Sequence, residues 1–176
     1  MRADADRARI TRLLDELGKH SSSGDRVYLA GGTSAVLVGW REFTQDVDLR
    51  IESANDEPLL RAISELKERL DVNVELASPL DFLPAPPGWQ ERSPFERRHG
   101  ALDAYHLDFS LQALAKLERG FERDLADIDA MIERRLTSPA AIRATFTAVA
   151  EALYRFPAVD QRELQAAVQA LGRTGA

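Results

Sequence analysis

Tyr28-Leu-Ala-Gly-Gly-Thr-Ser-Ala35, followed closely by Thr44-Gln-Asp-Val-Asp-Leu-Arg-Ile51, decides the fold of this chain. Val27 to Ala30 is an apolar run that stops at a glycine pair, the pattern of a buried strand entering a tight turn. Gly31 and Gly32 let the backbone approach a ligand closely and present N–H groups to it. Thr33 and Ser34 add hydroxyls at the expected N-terminus of a short helix over Ser34 to Val38, where partial positive charge favours a phosphate. Gly39 ends that helix, and a second strand is expected from Asp46 to Ile51.

Side chains alternate along a strand, so Asp46 and Asp48 share one face while Val47 and Leu49 point into the core. Two carboxylates spaced roughly 6–7 Å along a strand repel unless a cation lies between them. Mg²⁺ suits the place, with Mn²⁺ as a substitute, because it accepts few carboxylates and completes its octahedron with phosphate oxygens and water. A phosphate-cradling turn beside such a pair is what nucleotidyl transfer requires.

The rest of the chain is compatible with one ordinary domain, or one domain with a helical appendage. Its 176 residues suffice for a sizeable core, and 44% hydrophobic with 30% charged residues is the balance of a globular protein. No apolar run is long enough to cross a bilayer, and charge from Arg2 onward does not fit a signal peptide. The absence of cysteine excludes disulfides, thiol catalysis and cysteine zinc sites, and fits a cytoplasmic location with no membrane partner. A net charge of −6 argues against a surface that attracts nucleic acid everywhere, though not against a local basic groove.

Flanking elements follow from periodicity. Ile10, Leu13, Leu14 and Leu17 mark a packing helix over Asp6 to Lys19, and Leu59, Ile63, Leu66 and Leu70 a second amphipathic helix. Asp71 to Leu76 alternates as a half-buried strand, placing Glu75 and Asn73 on one face. The prolines between Ala77 and Trp89 exclude regular structure there, and Trp89 either packs that loop or offers a stacking face. Glu91 to His99 reads either as a solvated turn or, through Arg92, Arg97, Arg98 and His99, the densest basic cluster, as a holder of a phosphate chain or an RNA end. A short strand over Ala101 to Asp108 precedes helices at 110–119, 122–136, from Ser138-Pro139, and at 160–171, before a tail from Gly172 to Ala176.

Gly31-Gly32-Thr33-Ser34 followed by Asp46-Val47-Asp48-Leu49 resembles the signature of the polymerase-β-type nucleotidyltransferase superfamily. Within it, the chain resembles small prokaryotic AbiEii/MenT-like nucleotidyltransferases, through Thr44-Gln-Asp-Val-Asp, Leu114-Ala-Lys116-Leu and Arg123-Asp124-Leu-Ala-Asp127. The resemblance covers roughly Arg26 to Arg135. It implies an α/β (α+β) fold: a small mixed β-sheet with flanking helices over 1–109 and a helical region over 110–176 packed on it.

The resemblance further implies transfer of a nucleoside monophosphate from an NTP to an acceptor hydroxyl. Asp46 and Asp48 would hold the metal, with Glu75 as third carboxylate where the superfamily mostly has aspartate. Gly31, Gly32, Thr33 and Ser34 would hold phosphates. Lys116 would neutralise the triphosphate, with Asp124 and Asp127 either orienting it or serving structure alone. The implied acceptor is a tRNA 3′ end and the implied role that of a toxin with an antitoxin partner. The departure at Glu75 leaves open a catalytically inactive module that binds a nucleotide or a protein partner.

Overall fold

The computed structural model describes residues 2–172, so the tail expected beyond Gly172 lies outside the described residues. The chain divides into two compact units. The first contains the chain up to Ser78 together with Ser93–His106, and the second contains Pro79–Arg92 and the chain from Leu107 on.

The first unit is built on a five-stranded mixed sheet ordered β5-β4-β2-β7-β6. Its strands are β2 (Arg26–Leu29), β4 (Asp46–Glu52), β5 (Asn73–Glu75), β6 (Phe95–His99) and β7 (Leu102–His106). β2 lies at the centre, antiparallel to β4 and parallel to β7; β5 runs parallel to β4, and β6 antiparallel to β7. One face is apolar. Val27 and Leu29, Val47 and Leu49, Leu102 and Ala104 are all buried there. Against it pack Ile10, Leu13, Leu14 and Leu17 of α1 (Arg7–Gly18) and Leu59, Ile63 and Leu66 of α3 (Glu57–Arg69), the two stripes expected from periodicity. Asp6 caps α1 by accepting a hydrogen bond from the Arg9 N–H at 2.8 Å.

Helix α2 (Gly31–Val38) begins at the first glycine rather than at Ser34, and Gly39 ends it in the left-handed region. Gly32 to Leu37 are all buried, which a helix clasped between a sheet and its neighbours requires. A two-stranded pairing of β1 (Ala5–Asp6) with β3 (Phe43–Thr44) completes this unit.

Two further departures from the sequence reading have physical causes. The run expected as a solvated turn over Glu91 to His99 is largely β6, an edge strand: its charges face water along one side while β7 supplies backbone partners on the other. The expected strand over 71–76 shortens to β5, because Asp71 adopts a positive φ of 49° and breaks the extended backbone.

The second unit is helical: α4 (Phe109–Arg119), α5 (Glu122–Glu133), α6 (Pro139–Ala150) and α7 (Gln161–Ala170). Asp108 caps α4, Ser138 caps α6 and Asp160 caps α7, each side chain accepting from N–H groups of the first turn. Ile142, Phe146, Val149 and Leu153 are buried as their spacing predicts. The proline-rich segment 79–92 belongs to this unit, where Arg92 donates to the Asp108 carboxylate at 2.8 Å and to the Pro87 carbonyl at 2.9 Å. The sequence placed the division at 109/110; the chain re-enters the helical unit at Leu107.

Candidate active site

The face of the sheet opposite the apolar one carries the acidic pair. Asp46 lies beside Asn73, and Asp48 beside Glu75, in the register of parallel strands β4 and β5. Partners in register share a face, so these four polar residues form one patch, with Val47 and Val74 buried behind it. Asn73 donates its side-chain amide to Asp46 Oδ1, which fixes one carboxylate of the pair. Asp46 and Asp48 are both partly exposed, and Glu75 is exposed.

The glycine turn is pressed against this patch. Gly31 has φ +56°, and a Cβ placed on it would lie 2.7 Å from Asp48 Oδ2. A Cβ on Gly32 would lie 2.1 Å from Thr44 Oγ1 and 2.8 Å from Thr44 Cβ. One glycine is therefore required by backbone conformation and close approach to a carboxylate, the other by contact with the strand leading into Asp46. Thr44 in turn donates its hydroxyl to the Asp46 carbonyl at 3.1 Å. The Ala30 N–H donates to the Asp48 carbonyl at 3.2 Å, joining the end of β2 to the acidic strand.

Thr33 and Ser34 sit differently from a pair of phosphate-facing hydroxyls. Both are fully buried. Thr33 Oγ1 accepts the Asp48 N–H at 2.8 Å, and Ser34 donates to the Leu29 carbonyl at 3.0 Å while lying 3.0 Å from His106 Nδ1. Their hydroxyls bind the start of α2 to β2, β4 and β7. In the first turn of α2 the Thr33 N–H already donates to the Ala30 carbonyl at 3.1 Å, so the anion affinity of this end comes from the positive end of the helix dipole.

In the helical unit, Lys116 is buried, with Nζ 2.6 Å from Asp127 and 3.3 Å from Asp124. Asp124 also receives Arg119 at 2.5 Å, while its second oxygen, Oδ2, is buried with no hydrogen-bond partner. The charge of Lys116 is thus already matched by carboxylates, the pairing the sequence held open for Asp124 and Asp127. Of the basic cluster, Arg98 forms a double contact with Asp103 at 2.6 and 3.0 Å, and His99 is buried with Nδ1 2.6 Å from Asp15. Arg97 stays exposed on the edge strand, and Arg92 lies in the other unit.

Sequence reasoning missed His106. It faces the apolar side of the sheet, and burial, reinforced by the charge of Arg7, lowers its pKa to about 4. The alternation of β7 put it on that face; nothing in the sequence told that Ser34 would meet it.

A mixed sheet in which a glycine-opened helix is pressed against an Asp-x-Asp strand has the form of a nucleotidyltransferase. The chain belongs to the family described as nucleotidyltransferase of unknown function (DUF6036), whose model matches residues 8–168. Its fold is similar to the crystal structure of an antigenic nucleotidyltransferase-like protein from Paracoccidioides brasiliensis, with a TM-score of 0.50 and 16% identity over 96% of each chain. No curated protein matches it in sequence. Among the described residues, no helix is long and apolar enough to cross a membrane.

Proposed function

We propose that this protein is an active, Mg²⁺-dependent nucleotidyltransferase moving a nucleoside monophosphate from an NTP to an acceptor hydroxyl. The observation that carries the reading is the close approach of Gly31, where a Cβ would lie 2.7 Å from Asp48 Oδ2, to the strand that carries Asp46 and Asp48. The donor set is all carboxylate oxygen, which suits a hard cation that keeps water and phosphate as its remaining ligands. Asp46 and Asp48 would hold it; Glu75, the third carboxylate that the resemblance implies, is not gathered with them among the described residues. When bound, such a metal would supply charge neutralisation to the transferring phosphate and would lower the pKa of the attacking hydroxyl.

The residues of the chain have separable tasks. The Gly31–Gly32 turn would bring the positive end of α2 to the phosphates; Thr33 and Ser34 hold that turn in place from beneath. Asn73 orients Asp46. Lys116, Asp124 and Asp127 fix α4 against α5 within the helical unit, and the reading assigns them no bond-making step.

Asp48→Asn abolishes transfer while leaving the thermal midpoint unchanged or raised, because it relieves repulsion within the pair. Wild-type turnover by that variant would overturn the metal assignment. For the acceptor, the AbiEii/MenT-like resemblance supports a tRNA 3′ end and a toxin held by an antitoxin. Incubation with each labelled NTP, Mg²⁺ and total RNA or lysate tests this: label on RNA supports it, and label on a small molecule or a protein replaces it.

A second reading is nucleotide binding without turnover. One observation favours it: Glu75 stands where the superfamily mostly has aspartate, and among the described residues it is not gathered with Asp46 and Asp48, as a second metal would need. Mg²⁺-dependent NTP binding without pyrophosphate release would establish it.

A further inference from the structure

The glycine turn at the head of α2 has a charged group beside each of its two residues. A Cβ on Gly31 would lie 2.7 Å from Asp48 Oδ2, and one on Gly32 would lie 3.6 Å from Arg41 Nη1. The carboxylate comes from β4; the guanidinium comes from the segment that joins α2 to β3.

The fold fixes where Arg41 points. Gly39 ends α2 at φ +107°, and the chain doubles back so that the N–H groups of Trp40 and Arg41 donate to the Ala35 carbonyl at 3.0 and 3.3 Å. From there the Arg41 side chain runs towards the start of the helix and reaches Gly32. Three residues further on, Thr44 packs against the same glycine and pairs with Ala5 of β1, which anchors the far end of the segment. Arg41 is half-buried and borders an open groove of about 1040 Å³, so its side chain is held by the fold without being sealed from solvent.

We propose that Arg41 binds the β- and γ-phosphates of the NTP and so receives the leaving pyrophosphate. This assignment rests on the nucleotidyl-transfer reading and gives it a cation. Two carboxylates and a triphosphate together carry more negative charge than one divalent cation offsets, and the head of α2 adds only roughly half an elementary charge. Lys116, which the sequence offered for this task, is engaged by Asp127 and Asp124; Arg92 pairs with Asp108, and Arg98 with Asp103. A guanidinium beside the turn brings a permanent charge and a planar fork of donors, which fits two oxygens of a polyphosphate better than an ammonium does. In the transfer step the acceptor oxygen bonds to the α-phosphorus as the α–β bridging oxygen departs with its electron pair, and the hydroxyl proton leaves to solvent. The charge that gathers on the pyrophosphate then meets Arg41, a contact stronger in the transition state than in the ground state.

The test is calorimetric binding of inorganic triphosphate, which has neither base nor sugar, in the presence of Mg²⁺ and without an acceptor. Wild-type protein should bind it. Arg41→Gln should bind about tenfold more weakly or worse, the loss of one charge-assisted hydrogen bond, and Arg41→Lys should fall between the two. Thermal midpoints are read alongside to show that the variants are folded. A second measurement needs no variant. Phenylglyoxal, which modifies guanidinium groups, is applied to wild-type protein with and without Mg²⁺ and triphosphate, and the modified residues are read by peptide mass spectrometry. Triphosphate should protect Arg41 while Arg61, exposed on α3, reacts as before.

Absence of triphosphate binding by wild type, unchanged affinity in folded Arg41→Gln, or equal modification of Arg41 with and without triphosphate overturns the assignment. If Arg41→Gln binds as wild type while Asp48→Asn abolishes transfer, Arg41 alone loses its role. If Asp48→Asn keeps wild-type turnover while Arg41→Gln loses triphosphate, the metal assignment falls and the anion site stands.

Discussion

Gly31 shows how one backbone position ties fold to chemistry. At φ +56° an L side chain is disfavoured by roughly 1–2 kcal/mol, and the added methyl would also strike Asp48 Oδ2. Gly31→Ala is therefore expected to lower the unfolding free energy by about that amount, measurable by denaturant titration. It should also displace the carboxylate, reducing Mg²⁺-dependent NTP binding in calorimetry. His106 offers a test at the same scale. Its pKa falls from the ordinary 6.5 to about 4, so between those values the unfolded chain binds more protons than the native one. Stability should therefore fall as pH drops from 6.5 to 4, by up to about 3 kcal/mol, and level off below. His106→Gln should flatten this part of a thermal-midpoint profile. The acidic pair and glycine turn were legible because alternation and side-chain absence are local properties. The tasks of Thr33 and Ser34 were not: a hydroxyl's identity says nothing about which carbonyl or N–H lies opposite it, and both partners come from strands distant in sequence.

Among the elements, α4 is buried on nearly all sides, whereas periodicity predicted α1, α3, α5, α6 and α7 because each buries a single stripe. It missed β6 because an edge strand can leave much of its length charged, and Phe95–His99 alternates around a register shift next to Phe95. β1 and β3 were missed because two residues each carry no period. The pairing of α4 with α5 provides the prediction proper to this scale. Lys116 of α4 is buried between Asp124 and Asp127 of α5. Lys116→Met removes the buried cation shared by two buried carboxylates, of which Asp124 keeps Arg119, with an expected loss of about 3–5 kcal/mol in unfolding free energy. Adding Asp127→Leu should recover part of that loss. If Lys116→Met alone is neutral, the cluster has little role in holding the helices.

For the whole molecule, the division into units does not follow the order of the chain. Residues 79–92 leave the sheet unit and join the helical one before Ser93–His106 returns to supply β6 and β7. A sequence reading can find the prolines of that excursion, but not its attachment, which depends on partners such as Asp108. A fragment ending at residue 109 would keep the sheet's strands yet deprive 79–92 of α4 to α7. Hydrogen exchange should then show 79–92 unprotected in the fragment and protected in the full chain, while Val27 and Leu29 remain protected in both. Loss of protection at β2 in the fragment would show that the sheet cannot stand without the helical unit.

The register of β2 bears on how the protein is made. Val27 pairs with Ile51 on one side and with Ala104 on the other. During synthesis, the first of these neighbours leaves the ribosome early, and the second only after the whole excursion has been translated. Until then the central strand is an open edge, able to accept a foreign strand. The interval is set by the ribosome rather than by the protein, which makes this nascent intermediate a natural client for a chaperone.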